Sequence, residues 1–425
     1  MQRIWNVGQG RRVCQATHVD PCRLDVAFRF PVVFTRNVFD PGNPVLLETV
    51  SREEPHRAHR LVVVVDDNVA ASHPRLLDDI DAYARRFPSG ITLAAPPLLV
   101  PGGEAVKNEL HHVRVLLAWV NRLAIDRQSF LIAIGGGAVL DMVGFAAAIA
   151  HRGVRLIRIP TTVLSQADSG IAVKNGINLF GKKNFIGTFA PPFGVVNDSR
   201  FLETLERRDR LAGIAEAVKV ALIRDRALFE YIEAHATRLA AGDVDALTAV
   251  IQRSASLHLK HIVESGDPFE LSSARPLDFG HWAAHKLESL TNHRLRHGEA
   301  VAIGMAVDLV YSRRRRETDP AVVERILALL ETIGLNLWDP ALLGRDSRGY
   351  RVLQGLQEFR EHLGGELHIT QVRDIGVSVD VHEMDERTIV EALFELRDRR
   401  GGRHANRASL PSDVLLEHSS RGNMG

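Results

Sequence analysis

Residues 130–162 read FLIAIGGGAVLDMVGFAAAIAHRGVRLIRIPTT, and this stretch decides the fold. FLIAIGG at 130–136 is a continuous apolar run ending in glycine, VRLIRIP at 154–160 is a second run, and the segment from Val139 between them has a helical pattern. Strand, helix and strand in about 30 residues make a parallel βαβ unit, whose strands are apolar throughout because helices cover both sheet faces. The alternation continues outward: a buried strand LVVVVDDNVA at 61–70, a helix near 74–87, the strand ITLAAPP, and a helix over 104–124. Earlier, LDVAFRFPVVFTRNVF alternates weakly and reads as an opening strand pair. After about Asn197, helical periodicities fill 199–265 and 275–400, with ELHITQV as one strand-like interruption. The expectation is a doubly wound, Rossmann-like α/β domain at 1–198, an all-α domain at 199–400, and a polar, disordered tail at 401–425.

Composition narrows the function classes. The 425 residues are 45% hydrophobic and 25% charged, which is globular usage. A net charge of +1 gives no electrostatic basis for binding nucleic acid or an anionic membrane. The two cysteines, Cys14 and Cys22, exclude a disulfide framework and a CxxC metal knuckle and fit a reducing, cytoplasmic setting. No apolar run reaches the roughly 18 residues of a membrane span, and MQRIWNVGQGRR carries no apolar signal core. Lysine is scarce: of 53 basic residues, only Lys107, Lys174, Lys182, Lys183, Lys219, Lys260 and Lys286 are lysine. Arginine has taken over surface charge, so each remaining lysine is a candidate for work that needs a compact ammonium.

Three clusters carry chemistry. Gly135, Gly136 and Gly137 close a buried strand and open a helix, the placement that brings backbone N–H groups close to a pyrophosphate. A tight turn without ligand also fits the triplet, as a plain helix start fits Pro101-Gly102-Gly103-Glu104 with Lys107. Asp141, one turn into the helix, either holds a ribose or nicotinamide group or satisfies the first turn. Glu216 and Lys219 lie three apart in GIAEAVKVAL, an otherwise apolar helix, where buried charges pair or bind metal. His281 and His285 lie four apart in HWAAHKLE and His297 follows in RHGEAV. Three imidazoles and a carboxylate exceed the three protein ligands of a catalytic zinc site, so one of the four is spare. The third cluster is SQADSGIAVKNGINLFGKKNFIGT, a glycine-punctuated segment that fits neither a plain helix nor a plain strand. Its Asp168, Lys174, Asn178, Lys183 and Asn184 suit an anion such as a phosphate ester, or else a solvated loop.

From about residue 60 to 385 the chain resembles the sugar phosphate cyclases typified by 3-dehydroquinate synthase. The motifs are GGGAVLDMVGFAAA, HRGVRLIRIPTT, DSGIAVKNGIN, GKKN, GIAEAVKVALI, RPLDFGHWAAH and HGEAVAIGM. The resemblance implies a dehydroquinate-synthase-like fold with a metal-binding helical domain. It implies NAD at Asp66, Glu104, Lys107, Gly135, Gly136, Gly137, Asp141, Thr161, Thr162 and Lys183. A divalent metal, zinc or alternatively cobalt, would be held by Glu216, His281 and His297. Arg152, Lys174, Asn184, His285 and His362 would bind the substrate phosphate, Arg152 reaching across a homodimer interface. Asp168, Lys219, Lys260, Arg275 and Asp278 would face the carbon skeleton. The implied reaction is transient oxidation by NAD, phosphate elimination, reduction and intramolecular aldol closure of a seven-carbon sugar phosphate.

Departures bear on the substrate. Lys174-Asn175-Gly176-Ile177-Asn178 stands where dehydroquinate synthases read KTGVN, and Leu277-Asp278-Phe279-Gly280-His281 where they read LNFGH. FREHLGG and VHEMD resemble the 2-epi-5-epi-valiolone synthase branch, and the mosaic as a whole resembles the cyclases of ebo-type gene clusters. Asp278 beside Arg275 and Lys260 weakens the case for a substrate carboxylate. A glycerol or alcohol dehydrogenase is an alternative that net NAD turnover would favour, but that fold comes without the lysine-rich KNGIN and GKKN segment. A non-catalytic NAD-binding scaffold is disfavoured by intact Glu216, His281, His297 and Lys219.

Overall fold

The computed structural model describes residues 26–180, 182–264, 269, 277–362 and 366–408. Its first half alternates strands and helices: β1 (Val32–Thr35), α1 (Val45–Ser51), β2 (His59–Asp66), α2 (Asp67–Ser72), α3 (Leu76–Arg86), β3 (Ile91–Leu93), β4 (Leu98–Val100), α4 (His111–Arg122), β5 (Phe130–Gly135), α5 (Gly137–Ile149) and β6 (Arg155–Pro160). A hairpin of β7 (Lys174–Leu179) and β8 (Lys182–Phe189) precedes β9 (Gly194–Asp198). The sheet is parallel in the order β1-β9-β6-β5-β2-β3, with β4 also beside β2. Along β2, Val62 and Val64 enter one core with α4 and α5, while Leu61, Val63 and Val65 enter another with α1 and α3. Two covered faces are why the strand is apolar without alternation.

The second half holds α6 (Arg207–Arg224), α7 (Arg226–Ala234), α8 (Ala236–Ala241), α9 (Val244–Glu264), α10 (His281–Leu290), α11 (His297–Arg314), α12 (Pro320–Ile333), α13 (Gln354–His362) and α14 (Glu386–Ala408). α6 and α11 are buried around nearly their whole circumference, because α11 packs against α6, α10, α12 and α14. α12 shows its ends in sequence: Asp319 caps the first turn, Pro320 opens it, and Gly334 closes it at φ +105°. Among the described residues no helix is long and apolar enough to cross a membrane.

Several expectations need correction. The opening strand pair is one strand and a helix, and β1 pairs with β9. Asp198 takes the amides of Asn37 and Val38, which turns the chain away after β1. The helix over 104–124 is a 3₁₀ turn, Glu104–Lys107, and a separate α4. Asn178 interrupts it, its carbonyl accepting from the Glu109 amide at 3.1 Å. The segment expected to be neither helix nor strand is a π-turn, Ser165–Ser169, followed by the β7–β8 hairpin. The helical half carries two small hairpins, Arg345–Asp346 with Gly349–Tyr350 and Ile369–Asp374 with Val377–Val381, where one interruption was expected. α14 runs past residue 400 to Ala408, and residues 409–425 lie outside the described part, as do Cys14, Cys22 and Arg275.

Candidate metal and cofactor centre

Glu216 on α6, His281 at the start of α10 and His297 at the start of α11 bring one ligand atom each to within 4.8 Å of one another. Two glycine contacts allow this. A β-carbon on Gly304 would stand 2.1 Å from the Gly280 carbonyl oxygen, and Gly298 packs on Ala212 just as closely, so both helix starts touch their neighbours through backbone. Asp308, buried in α11, accepts from the Trp282 indole at 2.9 Å and the Gly280 amide at 3.2 Å, bracketing His281 on both sides.

The cluster is dense in charge. Glu216 Oε2 lies 2.6 Å from Lys219 Nζ and Oε1 lies 3.3 Å from His297 Nε2. Burial pushes the Glu216 carboxyl up, but Lys219, His297 and His281 outweigh it and hold it well below the usual carboxylate range. Burial drives His281 well below its ordinary value, leaving it a neutral imidazole suited to ligation. For His297, burial is outweighed by hydrogen bonds to Glu216 and Glu288, which push it up to about 10. Both Glu216 oxygens are sealed from solvent, and their contacts with Lys219 and His297 are charge contacts whose geometry leaves their acceptor capacity unmet. A carboxylate with unmet acceptor capacity beside two imidazoles forms a donor set that fits zinc. His285 has its ring 5.4 Å from that of His281 and 5.8 Å from that of His297, yet it is exposed and outside the converging set.

The cofactor candidates gather at the carboxyl ends of β2, β5 and β6. Gly136 caps α5, and a β-carbon on Gly137 would meet the Ser169 hydroxyl at 2.7 Å. Asp66 caps α2 through the Asn68 amide, and a β-carbon on Gly102 would strike its carboxylate at 2.3 Å. Lys107 Nζ is 2.6 Å from Asp141 Oδ2 and 2.5 Å from Asn184 Oδ1. Burial raises the Asp141 carboxyl despite Lys107. Glu104 accepts from Asn178 at 2.9 Å. The Thr161 amide donates to Gly135 O at 3.0 Å, and Thr162 pairs with Ser165. The hydroxyls of Thr161 and Ser169 are buried without partners. Orphaned donors beside a glycine turn at a helix N-terminus fit a dinucleotide.

Other predicted residues are placed unevenly. Asp168, on the π-turn, is 3.2 Å from His258 Nδ1, and its charge, with those of Glu216 and Asp278, raises the Lys219 ammonium against the pull of burial. Lys260 is not brought into this group: its side chain is 66% exposed and lies 3.9 Å from Glu264. His258 and Lys260 are two residues apart on a helix and so face nearly opposite ways, and the buried one is His258. Asn184 joins the cofactor group through Lys107. Lys174 opens β7, exposed, and Arg152 lines a separate surface cavity of about 310 Å³ with Gly144, Ala147, Thr188 and Phe189. His362 closes α13, and its side chain, like Arg275, lies outside what is described. Asn175, read as a substrate-linked departure, is structural: its Oδ1 accepts from buried Arg158 at 2.7 Å.

Sequence reading missed two residues. Glu288 takes His297 Nδ1 at 3.1 Å on one oxygen and Lys183 Nζ at 2.7 Å on the other. Its position, seven after His281 and three after His285, is one helical face and was a usable signal. His258 left no such signal, because its inward orientation depends on how α9 packs on the π-turn.

The 3-dehydroquinate synthase N-terminal family matches residues 97–212, and the 3-dehydroquinate synthase C-terminal family matches residues 213–348. A 2-epi-valiolone synthase of Actinosynnema mirum is 35% identical over 384 residues, 85% of this chain and 97% of the relative. A 3-dehydroquinate synthase of Dictyoglomus thermophilum is 36% identical over 297 residues, 70% of this chain and 81% of the relative. The solved structure of a 2-epi-5-epi-valiolone synthase from Streptomyces hygroscopicus, with NAD+ and Zn2+ bound, superposes with a TM-score of 0.78 at 27% identity, covering 89% of this chain and 99% of that one.

Proposed function

The chain belongs to the 3-dehydroquinate synthase family, and from that premise we propose that it is a sugar phosphate cyclase acting on a seven-carbon ketose phosphate without a carboxylate, such as sedoheptulose 7-phosphate. The observation that carries the substrate choice is the setting of Lys219, whose ammonium answers to Glu216, Asp168 and Asp278 together. Glu216 is committed to the metal, so the carboxylate that bears on the choice is Asp278, which stands where dehydroquinate synthases carry a neutral amide; its negative charge disfavours a substrate carboxylate and favours hydroxyls that donate to it.

The proposed cofactors are NAD and a divalent metal, zinc or cobalt. When bound, they supply reversible oxidation of a secondary alcohol and a Lewis acid for its oxygen. Glu216, His281 and His297 would hold the metal, and the glycine turn with Asp66, Asp141, Lys107 and Thr161 would hold the dinucleotide. Lys219 donates to the substrate oxygen beside it, and the buried setting strengthens that bond. Asp168, steadied by His258, orients the neighbouring hydroxyls. Lys174 and His285 bind the phosphate that leaves.

The active form we propose is a homodimer. Phe180, Phe185 and Phe189 on the hairpin and Ile149 on α5 are exposed apolar residues, and the Arg152 cavity borders two of their elements. Such a patch suits a second copy. The test of function is incubation with NAD+ and Zn2+ and either sedoheptulose 7-phosphate or the corresponding heptulosonic acid 7-phosphate. Phosphate release and a carbocycle from the former, without net NADH, are expected. Turnover of the acid alone overturns the substrate, and stoichiometric NADH accumulation overturns the reaction class.

A further inference from the structure

Two neighbouring residues of β8 reach into two different clusters. Asn184 Oδ1 accepts from Lys107 Nζ at 2.5 Å, and that ammonium also lies 2.6 Å from Asp141, below the glycine turn. Lys183, one residue earlier, reaches Glu288 Oε1 at 2.7 Å. The other Glu288 oxygen is 3.1 Å from His297 Nδ1, and His297 Nε2 is 3.3 Å from Glu216. Polar contacts therefore run through Asp141, Lys107, Asn184, the chain to Lys183, then Glu288, His297 and Glu216.

Local features shape this connection. Asn184 sits at φ +50°, a left-handed conformation asparagine tolerates, and its amide donates to Asn178 Oδ1 at 2.9 Å. The Glu288 side chain is only 5% exposed, so its charge depends on the two cations it touches. A carboxylate on the far nitrogen of a ligating histidine fixes the ring's tautomer and direction. Here that carboxylate is tied to a residue of the cofactor domain.

We infer that Glu288 is a positioning residue for His297, and that the Lys183–Glu288 pair couples the cofactor and metal sites so that each ligand tightens the other. This rests on the assignment of NAD to the glycine turn and of the metal to Glu216, His281 and His297. A dinucleotide at the turn would order Lys107, Asn184 and hence Lys183. Lys183 then holds Glu288 in the orientation His297 needs to ligate. By linkage, the gain is the same in both directions.

The test is binding, not turnover. Co2+ affinity is measured with and without NAD+, and NAD+ affinity with and without Co2+, for the intact protein, Lys183→Met, Lys183→Arg and Glu288→Gln. The intact protein should show one coupling factor in both directions, about 5- to 150-fold. Lys183→Met and Glu288→Gln should bring it to about 1, and Lys183→Arg should restore part of it. Glu288→Gln should also weaken Co2+ binding about 10- to 100-fold and shift its visible absorption bands. Independent binding in the intact protein, or full coupling in both Lys183→Met and Glu288→Gln, overturns the inference. Failure of the intact protein to bind Co2+ or NAD+ overturns the underlying assignment instead. If Lys183→Met binds NAD+ too weakly to measure, Glu288→Gln decides from the metal side. If Glu288→Gln does not fold, Lys183→Met decides, since its side chain is one-third exposed.

Discussion

A β-carbon on Gly298 would stand 1.9 Å from the carbonyl oxygen of Ala212, so α11 meets α6 backbone to backbone one residue after His297. Gly298→Ala should push the helices apart, destabilise the fold by about 1–3 kcal/mol, and weaken metal binding about tenfold or more. Denaturant titration and metal titration measure the two effects. Wild-type values in both would mean that the helix spacing does not set the ligand geometry.

His281→Ala should abolish stoichiometric metal, whereas His285→Ala should keep it and lose affinity for the substrate phosphate. Metal analysis after dialysis, paired with KM, separates these outcomes. Metal retained by His281→Ala and lost by His285→Ala would reverse the ligand assignment.

Arg158 is fully buried and donates to Gly170 O, Ala172 O, Lys174 O and Asn175 Oδ1 at 3.1, 2.5, 3.0 and 2.7 Å. Arg158→Met removes every one of these bonds and strands neutral acceptors, so unfolding free energy should fall by at least about 1–3 kcal/mol, the cost of leaving one buried acceptor unpaired. A loss below about 1 kcal/mol would show that the acceptors find other donors.

Asp308 should make stability depend on pH. Burial raises its carboxyl to about 7, against an ordinary value of 3.8. Between these values the folded chain keeps a proton that the unfolded chain releases. The contribution is therefore complete below the unfolded value and lost as pH rises through about 7, at about 1.4 kcal/mol per pH unit. Asp308→Asn lacks this titration, so its stability relative to the parent should climb from pH 4 to 7 and level off above. A pH-independent difference would contradict the burial argument.

Arg152→Ala and Glu216→Ala should each be inactive alone. Mixed and reassociated, they should recover about a quarter of parental activity, because half the dimers hold one site with an intact metal cluster and the partner's arginine. No recovery despite mixed dimers would place Arg152 in its own chain's site or in none.

Much of this was legible before any coordinates. The glycine-ended apolar runs identified the βαβ units, because covered parallel strands have few other readings, and the i, i+3 and i, i+4 spacings marked Glu216, Lys219, His281 and His285 as candidates without deciding which imidazole is spare. What sequence could not carry was long-range side-chain choice. Asn175 looked like a substrate residue until Arg158, from a strand of the sheet, claimed it. Lys260 and His258 share a helix, and only the packing of α9 decided which faces inward. Asn184 was placed with the phosphate by resemblance, and its bond to Lys107 left no signal because it joins segments 77 residues apart.

The three residues proposed to hold the metal come from α6, α10 and α11, and α7, α8 and α9 intervene between the first and second of them. No local segment can hold the ion, so the growing chain offers it no binding site until those helices have docked. On that assignment loading is an event in the life of the finished fold, and His297 is the one of the three whose side chain stays well open to solvent, at 31%.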